Sequence, residues 1–178
     1  DEVVTFAPFF TEYRCWVVAT GASLEVIPPG LPDFQIDTEA FERAISAKTK
    51  AVIVNTPNNP SGVVYSEETI KKLAAILVRK SEEYGSPIYL ITDEPYREIV
   101  YDGIQVPYLT KYYDNTLVCY SYSKSLSLPG ERIGYIVIPD RIADYEHVSP
   151  AIAGAARVLG YVCAPSLFQQ VIGKCVDD

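Results

Sequence analysis

The sequence predicts an α/β fold, a three-layer sandwich in which a mainly parallel sheet carries helices on its faces. Three observations carry that expectation. Ala51-Val52-Ile53-Val54 and Ile88-Tyr89-Leu90-Ile91 are continuous apolar runs, as expected of strands buried on both faces. Between them, from Ser66, the apolar residues Ile70, Leu73, Ile76 and Leu77 recur at helical spacing, with Glu67 and Glu68 at the positive end of the helix dipole. Each apolar run then stops abruptly in polar, turn-forming residues, Asn55–Gly62 after the first and Asp93–Tyr96 after the second.

The other elements follow in order. Val3–Phe6 reads as a short strand, and the aromatic cluster Pro8–Tyr13 as a loop set by Pro8. Trp16–Thr20 and Leu24–Ile27 read as strands separated by Gly21 and closed by Pro28-Pro29-Gly30. Phe41, Ala44 and Ile45 fall at helical spacing, with Asp37 or Thr38 as the N-cap. After Tyr96 a weakly helical or irregular segment leads to a strand at Thr116–Tyr120, then the serine-rich loop Ser121–Arg132, then a strand at Ile133–Ile138. From Asp140 onward the chain reads as helices, the last opening at Pro165-Ser166.

Bulk properties bound the function. At 178 residues, 48% hydrophobic and 21% charged, the chain suffices for one good core, so 1–178 reads as a single domain. A formal charge of −8 argues against a nucleic-acid partner. No run approaches the length of a membrane span and no leader precedes the first strand, which makes the cytoplasm the expected setting. Cys15, Cys119, Cys163 and Cys175 are widely spread, with only His147 as an imidazole partner; reduced structural thiols are expected, not a metal site. The chain contains no methionine and therefore reads as a fragment or a processed product.

In open α/β sheets ligands sit beyond the carboxyl ends of the strands. If the three buried strands are parallel neighbours, Asn59, Asp93, Tyr96, Ser121 and Lys124 face one crevice, with Arg132 across the loop. A lysine and an arginine at the two ends of one serine-rich loop suit an anionic ligand carrying a group that an amine attacks. Singly each residue is weak evidence: Asp93 after an apolar run is an ordinary turn residue, and Asn58-Asn59-Pro60 an ordinary turn. Ser121-x-x-Lys124 also fits a serine acyl-transfer motif, but its companion motifs S-D-N and K-T-G are missing, the nearest text being Lys48-Thr49-Lys50.

Taken together, Asn58-Asn59-Pro60-Ser61-Gly62, Asp93-Glu94-Pro95-Tyr96, Ser121-Tyr122-Ser123-Lys124 and Pro129-Gly130-Glu131-Arg132-Ile133-Gly134 resemble the fold-type I pyridoxal-phosphate enzymes, most closely the class I/II aminotransferases. The resemblance runs from the aromatic loop at Pro8 to the end of the chain. It implies pyridoxal 5'-phosphate as cofactor, with Lys124 as the Schiff-base lysine and Asp93 as the partner of the pyridine nitrogen. Asn59 and Tyr96 then bond the ring oxygen, and Ser121 and Arg132 hold the phosphate. Phe10 matches the aromatic ring stacked on the pyridine, with Phe9 or Tyr13 as alternatives. Also implied are amino-acid and 2-oxo-acid substrates of aspartate, alanine or aromatic type, and a homodimer. The resemblance further implies that residues 1–178 are the central part of a large cofactor-binding domain. An upstream segment and a small C-terminal domain then lie outside them, and the chain alone is expected to be inactive. Two other readings share the motifs, a C–S β-lyase and a non-catalytic regulatory module that binds the cofactor.

Overall fold

Strand β5 (Thr49–Asn55) lies between β1 (Glu2–Phe6) and β6 (Tyr89–Asp93), and its composition suits that position. Val52, Ile53 and Val54 are all buried, which only a strand covered on both faces allows. The computed structural model, which describes residues 1–175, orders a six-stranded sheet as β2 (Ser23–Ile27), β1, β5, β6, β7 (Thr116–Ser121) and β8 (Gly134–Val137). The first five strands are parallel; β8 runs antiparallel to β7. A two-residue hairpin, β3 (Pro29–Gly30) with β4 (Gln35–Ile36), stands apart from it.

Helices cover the sheet on both sides. On one face α2 (Thr38–Ala44) and α3 (Glu67–Tyr84) share a core with Val4, Phe6, Val52, Val54 and Leu90. Helix α3 forms where its periodicity predicts. Ser66 Oγ accepts the Thr69 amide at 3.1 Å, Ile70, Leu73 and Leu77 are fully buried, and Gly85 closes the helix at φ 62°, a conformation that costs glycine little. Asp37 caps α2 through the Ala40 amide at 2.9 Å. On the other face α1 (Glu12–Ala19) packs Tyr13 and Val17 against Ile53, with Val3 and Ile91 alongside.

That helix corrects the expected strand at Trp16–Thr20. The run Trp16-Val17-Val18 has high strand propensity, but Tyr13 and Val17, four residues apart, are the two positions that bury while Trp16 and Val18 stay exposed. Tertiary packing on one helical stripe overrides β-branched preference here. The thiol expectation is also corrected in part: Cys15, Cys163 and Cys175 are exposed, and only Cys119 is partly enclosed, so three of the four are not structural. Past β7 the serine-rich loop contains a single helical turn, α4 (Tyr122–Ser125), and a 3-10 turn at Pro129–Glu131. Two helices, α5 (Tyr145–Val158) and α6 (Ser166–Cys175), complete the described residues.

The β7–β8 pairing places Gly134 opposite Ser121. A Cβ at Gly134 would collide with the Tyr120 carbonyl oxygen and meet Ser121 Cα at 3.0 Å, whereas one at Gly130 meets nothing within 4 Å. Gly134→Ala is therefore expected to destabilise the fold by about 1–3 kcal/mol through overpacking, with Gly130→Ala within ~0.5 kcal/mol of wild type. Urea titration of the two variants reads both.

Candidate active site

Strands β5, β6 and β7 end side by side, with Asn55 in register with Asp93 and Asp93 with Cys119. Asp93 sits on the α1 face of the sheet, where Tyr13 donates its hydroxyl to Asp93 Oδ2 at 2.5 Å. Burial pushes the Asp93 carboxyl above the usual carboxylate range; the Tyr13 hydrogen bond opposes the shift and the Glu94 charge adds to it. The Tyr13 phenol is raised by burial and then by the Asp93 charge, so it stays a donor. Cys119 is pushed up to about 12 by burial and by Asp93 and Glu94. Among the described residues no cation pairs with Asp93.

Glu94 faces the other way. Its carboxylate accepts from Thr92 at 2.9 Å and from Arg97 Nε at 2.6 Å, in a pair whose side chains are 3% and 12% exposed. The Arg97 guanidinium also donates to the Val106 and Pro107 carbonyls at 2.9 and 3.0 Å and lies 4.0 Å from the Tyr108 ring centre. These contacts tie the whole segment after β6 to the strand end that carries Tyr96.

Three sequence-predicted residues meet directly. Asn59 Nδ2 donates to Tyr96 Oη at 3.1 Å, and Lys124 Nζ lies 5.7 Å from the centre of the Tyr96 ring. Asp93 and Phe10 are joined through Tyr13, whose ring meets Phe10 edge-on at 5.7 Å. Of the aromatic alternatives, Tyr13 commits its hydroxyl to Asp93, and Phe9 stacks on Tyr13 at 6.5 Å. Ser121 precedes α4, and among the described residues its hydroxyl has no hydrogen-bond partner. Arg132 is not drawn to Ser121: its guanidinium turns back to the Pro129 carbonyl at 2.7 Å. Its backbone is left-handed, φ 51° and ψ 49°, a strained choice for a bulky residue of the kind found at ligand-binding turns.

Asn55 escaped the sequence reading, and Tyr13 entered it only as an alternative stacking ring, not as the partner of Asp93. Tyr13 is the hydroxyl donor to Asp93; its only sequence signal was membership of the aromatic cluster. Asn55 is buried, donates to the Asp93 carbonyl at 2.8 Å and accepts the Asn59 amide at 2.7 Å, thus fixing two strand ends to each other. Its position as the last residue of an apolar run was a usable signal, since a polar side chain ending a buried strand must find backbone partners.

Asn55→Ala removes the partner of a part-buried carbonyl and a part-buried amide and is expected to cost about 1–3 kcal/mol, read by urea titration. Asp93→Asn keeps the shape and the Tyr13 bond but removes the buried charge. The folded Asp93 holds its proton more tightly than the unfolded chain does. The resulting stabilisation is complete below the unfolded value, ~3.9, and is lost as pH rises through the raised folded value. Asp93→Asn is therefore expected to melt higher than wild type at pH 7, with the difference vanishing toward pH 3.5; scanning calorimetry across that range checks it.

A family model described as "Aminotransferase class I and II" matches residues 1–178. The chain is 34% identical to the aspartate/prephenate aminotransferase of Thermus thermophilus over 143 residues, covering 80% of this chain and 36% of that protein. It is 31% identical to the aspartate aminotransferase of Thermotoga maritima, covering 80% and 37%. Among solved structures, an amino transferase from Eubacterium rectale superposes with a TM-score of 0.96 at 63% identity, covering 98% of this chain and 44% of that one. The N-succinyldiaminopimelate aminotransferase of Mycobacterium tuberculosis superposes with a TM-score of 0.86 at 28% identity, covering 99% and 44%. The chain thus spans little more than a third of the length of these two curated relatives. With the strand-end residues, the parallel sheet and the full-length family match in agreement, the chain belongs to the class I and II aminotransferase family.

Proposed function

We propose that residues 1–178 are the central part of the cofactor-binding domain of a pyridoxal-phosphate-dependent aminotransferase. In this reading the parent enzyme moves an amino group from an amino acid of aspartate, alanine or aromatic type to a 2-oxo acid. The observation that carries it is Asp93: a largely enclosed carboxylate, held by one hydroxyl donor and paired with no cation among the described residues. Such a group is costly unless a ligand brings the positive partner, and a protonated pyridine nitrogen is one. The names of the two curated relatives, both aminotransferases, favour transamination over C–S β-lysis.

Pyridoxal phosphate, when bound, supplies an aldehyde and a ring that accepts electrons. Lys124 would hold it through the amine and move the proton at the substrate α-carbon with the same Nζ. Asp93 would keep the ring nitrogen protonated, an opposite charge favouring the charged form. Tyr96 and Asn59, already bonded to each other, would donate to the ring oxygen, and Phe10 would offer an aromatic face. Ser121, with its hydroxyl free, and Arg132, exchanging the Pro129 carbonyl for phosphate oxygens, would hold the phosphate by a forked contact. In the same reading the parent protein is a homodimer in the cytoplasm.

Trp16 is the single tryptophan, and its ring centre lies 5.9 Å from that of Phe10, so its fluorescence reports on this site. Adding pyridoxal phosphate is expected to quench Trp16 emission, and borohydride reduction to leave the adduct on Lys124 by peptide mass spectrometry. Lys124→Ala should lose both signals and keep the far-UV spectrum. Label scattered over the surface lysines, or none at all, overturns the assignment.

A further inference from the structure

The spacing of Tyr96 and Lys124 is not held by any strong bond between them. Lys124 Nζ over the Tyr96 ring at 5.7 Å is a cation–π contact of the weak kind made where the amine is exposed to solvent. Yet each residue sits on its own irregular segment, Tyr96 in the turn after β6 and Lys124 in the single helical turn α4. Something else must set their relation.

Tyr120 stands between the two segments. Cys119 is in register with Asp93, so Tyr120, the next residue of β7, points to the opposite face of the sheet. Its ring stacks on its cross-strand partner Tyr135, 5.1 Å between centres and 23° between planes, and Tyr122 meets it edge-on at 5.2 Å. Thus the ring is fixed on two sides. The hydroxyl oxygen lies 2.9 Å from Glu98 Oε2 and 2.8 Å from Ser125 Oγ. A phenol has one proton, so Tyr120 donates to the Glu98 carboxylate and accepts the proton of Ser125. Glu98 is two residues after Tyr96, and Ser125 is the neighbour of Lys124. Among the described residues, no other hydrogen bond or ion pair connects residues 94–108 to residues 122–132.

We propose that Tyr120 is a positioning residue, whose hydroxyl bridges Glu98 and Ser125 and so couples the Tyr96 segment to the Lys124 turn. The coupling itself is a property of the chain; its use in setting the amine beside the phenol rests on the function proposed above. Arg97 and Glu94 anchor the same segment from the strand side, and the Tyr120 bridge holds it at Glu98.

The test compares wild type, Tyr120→Phe, Ser125→Ala, the double variant and Glu98→Gln by two readouts. The first is amide hydrogen exchange without cofactor. Tyr120→Phe and Ser125→Ala should each raise exchange in residues 96–101 and 122–128 together, leaving β5 and α3 unchanged. The second is the rate at which pyridoxal phosphate, trapped by borohydride, modifies Lys124. Either single variant should slow it about tenfold, in the range expected for a small misplacement of a reacting group. The double variant should be no slower than the slower single, because both break one bridge, and Glu98→Gln, which still accepts from Tyr120, should stay near the wild-type rate. If Tyr120→Phe does not fold, Ser125→Ala removes the bridge from the other end and carries the test. Exchange that rises in one segment only, or in neither, overturns the coupling. Coupled exchange with a wild-type labelling rate in the variants overturns the positioning role. Coupled exchange with no label on Lys124 in wild type overturns the cofactor reading and leaves the coupling standing.

Discussion

A carboxylate drawn largely out of water at the end of β6 is the constraint around which the neighbouring chemistry is arranged. Asp93 has one hydroxyl donor and no counter-ion among the described residues, so each nearby group must avoid adding a second uncompensated charge. Cys119, whose thiol is driven up to about 12, remains neutral at physiological pH. Tyr13 keeps its proton for the same reason. Glu94, the adjacent residue, is negative as well, but Arg97 neutralises it on the far side of the sheet. A single negative charge is left at the strand ends on the α1 face, beside the Tyr13 hydroxyl, where it can act on whatever positive group arrives.

The fold supplies this arrangement through ordinary means. Parallel strands end at one edge, and their last side chains come to lie together. Helix α1 lies across that face, and one buried stripe of it delivers both the apolar packing of Val17 and the hydroxyl of Tyr13. Asn55 then ties the β5 and β6 ends by bonding to backbone on both sides. Packing on the α3 face, with Leu73 and Leu77 fully buried, keeps the strands from shifting under the site.

Much of this was legible in the sequence. The buried strands announced themselves by unbroken apolar runs, α3 by its stripe and caps, and Asn59, Asp93, Tyr96, Ser121 and Lys124 by lying at or within a few residues of strand ends. What stayed hidden depended on tertiary partners. Trp16–Thr20 looks like a strand to any local scale, and only the sheet beneath Tyr13 and Val17 makes it a helix. Tyr13 is one of 14 tyrosines, and nothing local reveals that its hydroxyl reaches a residue 80 positions away. The antiparallel direction of β8 depends on the turn that precedes it. Arg132, expected with Ser121 at a phosphate, bonds the Pro129 carbonyl of its own turn, a contact that no local pattern announces.

The contrast between Asp93 and Glu94 has a further consequence, for the alignment of β6 with its neighbours. Consecutive residues at a strand end point to opposite faces, and a slip of one position would exchange them. Slipped by one, the strand would carry Glu94 and its Arg97 partner together toward the Tyr13 face and take Asp93 away from its hydroxyl donor. A misaligned sheet is thereby penalised by electrostatics as well as by packing. The Tyr13–Asp93 bond, made between residues 80 positions apart, thus favours the register that keeps the shorter carboxylate on the α1 face.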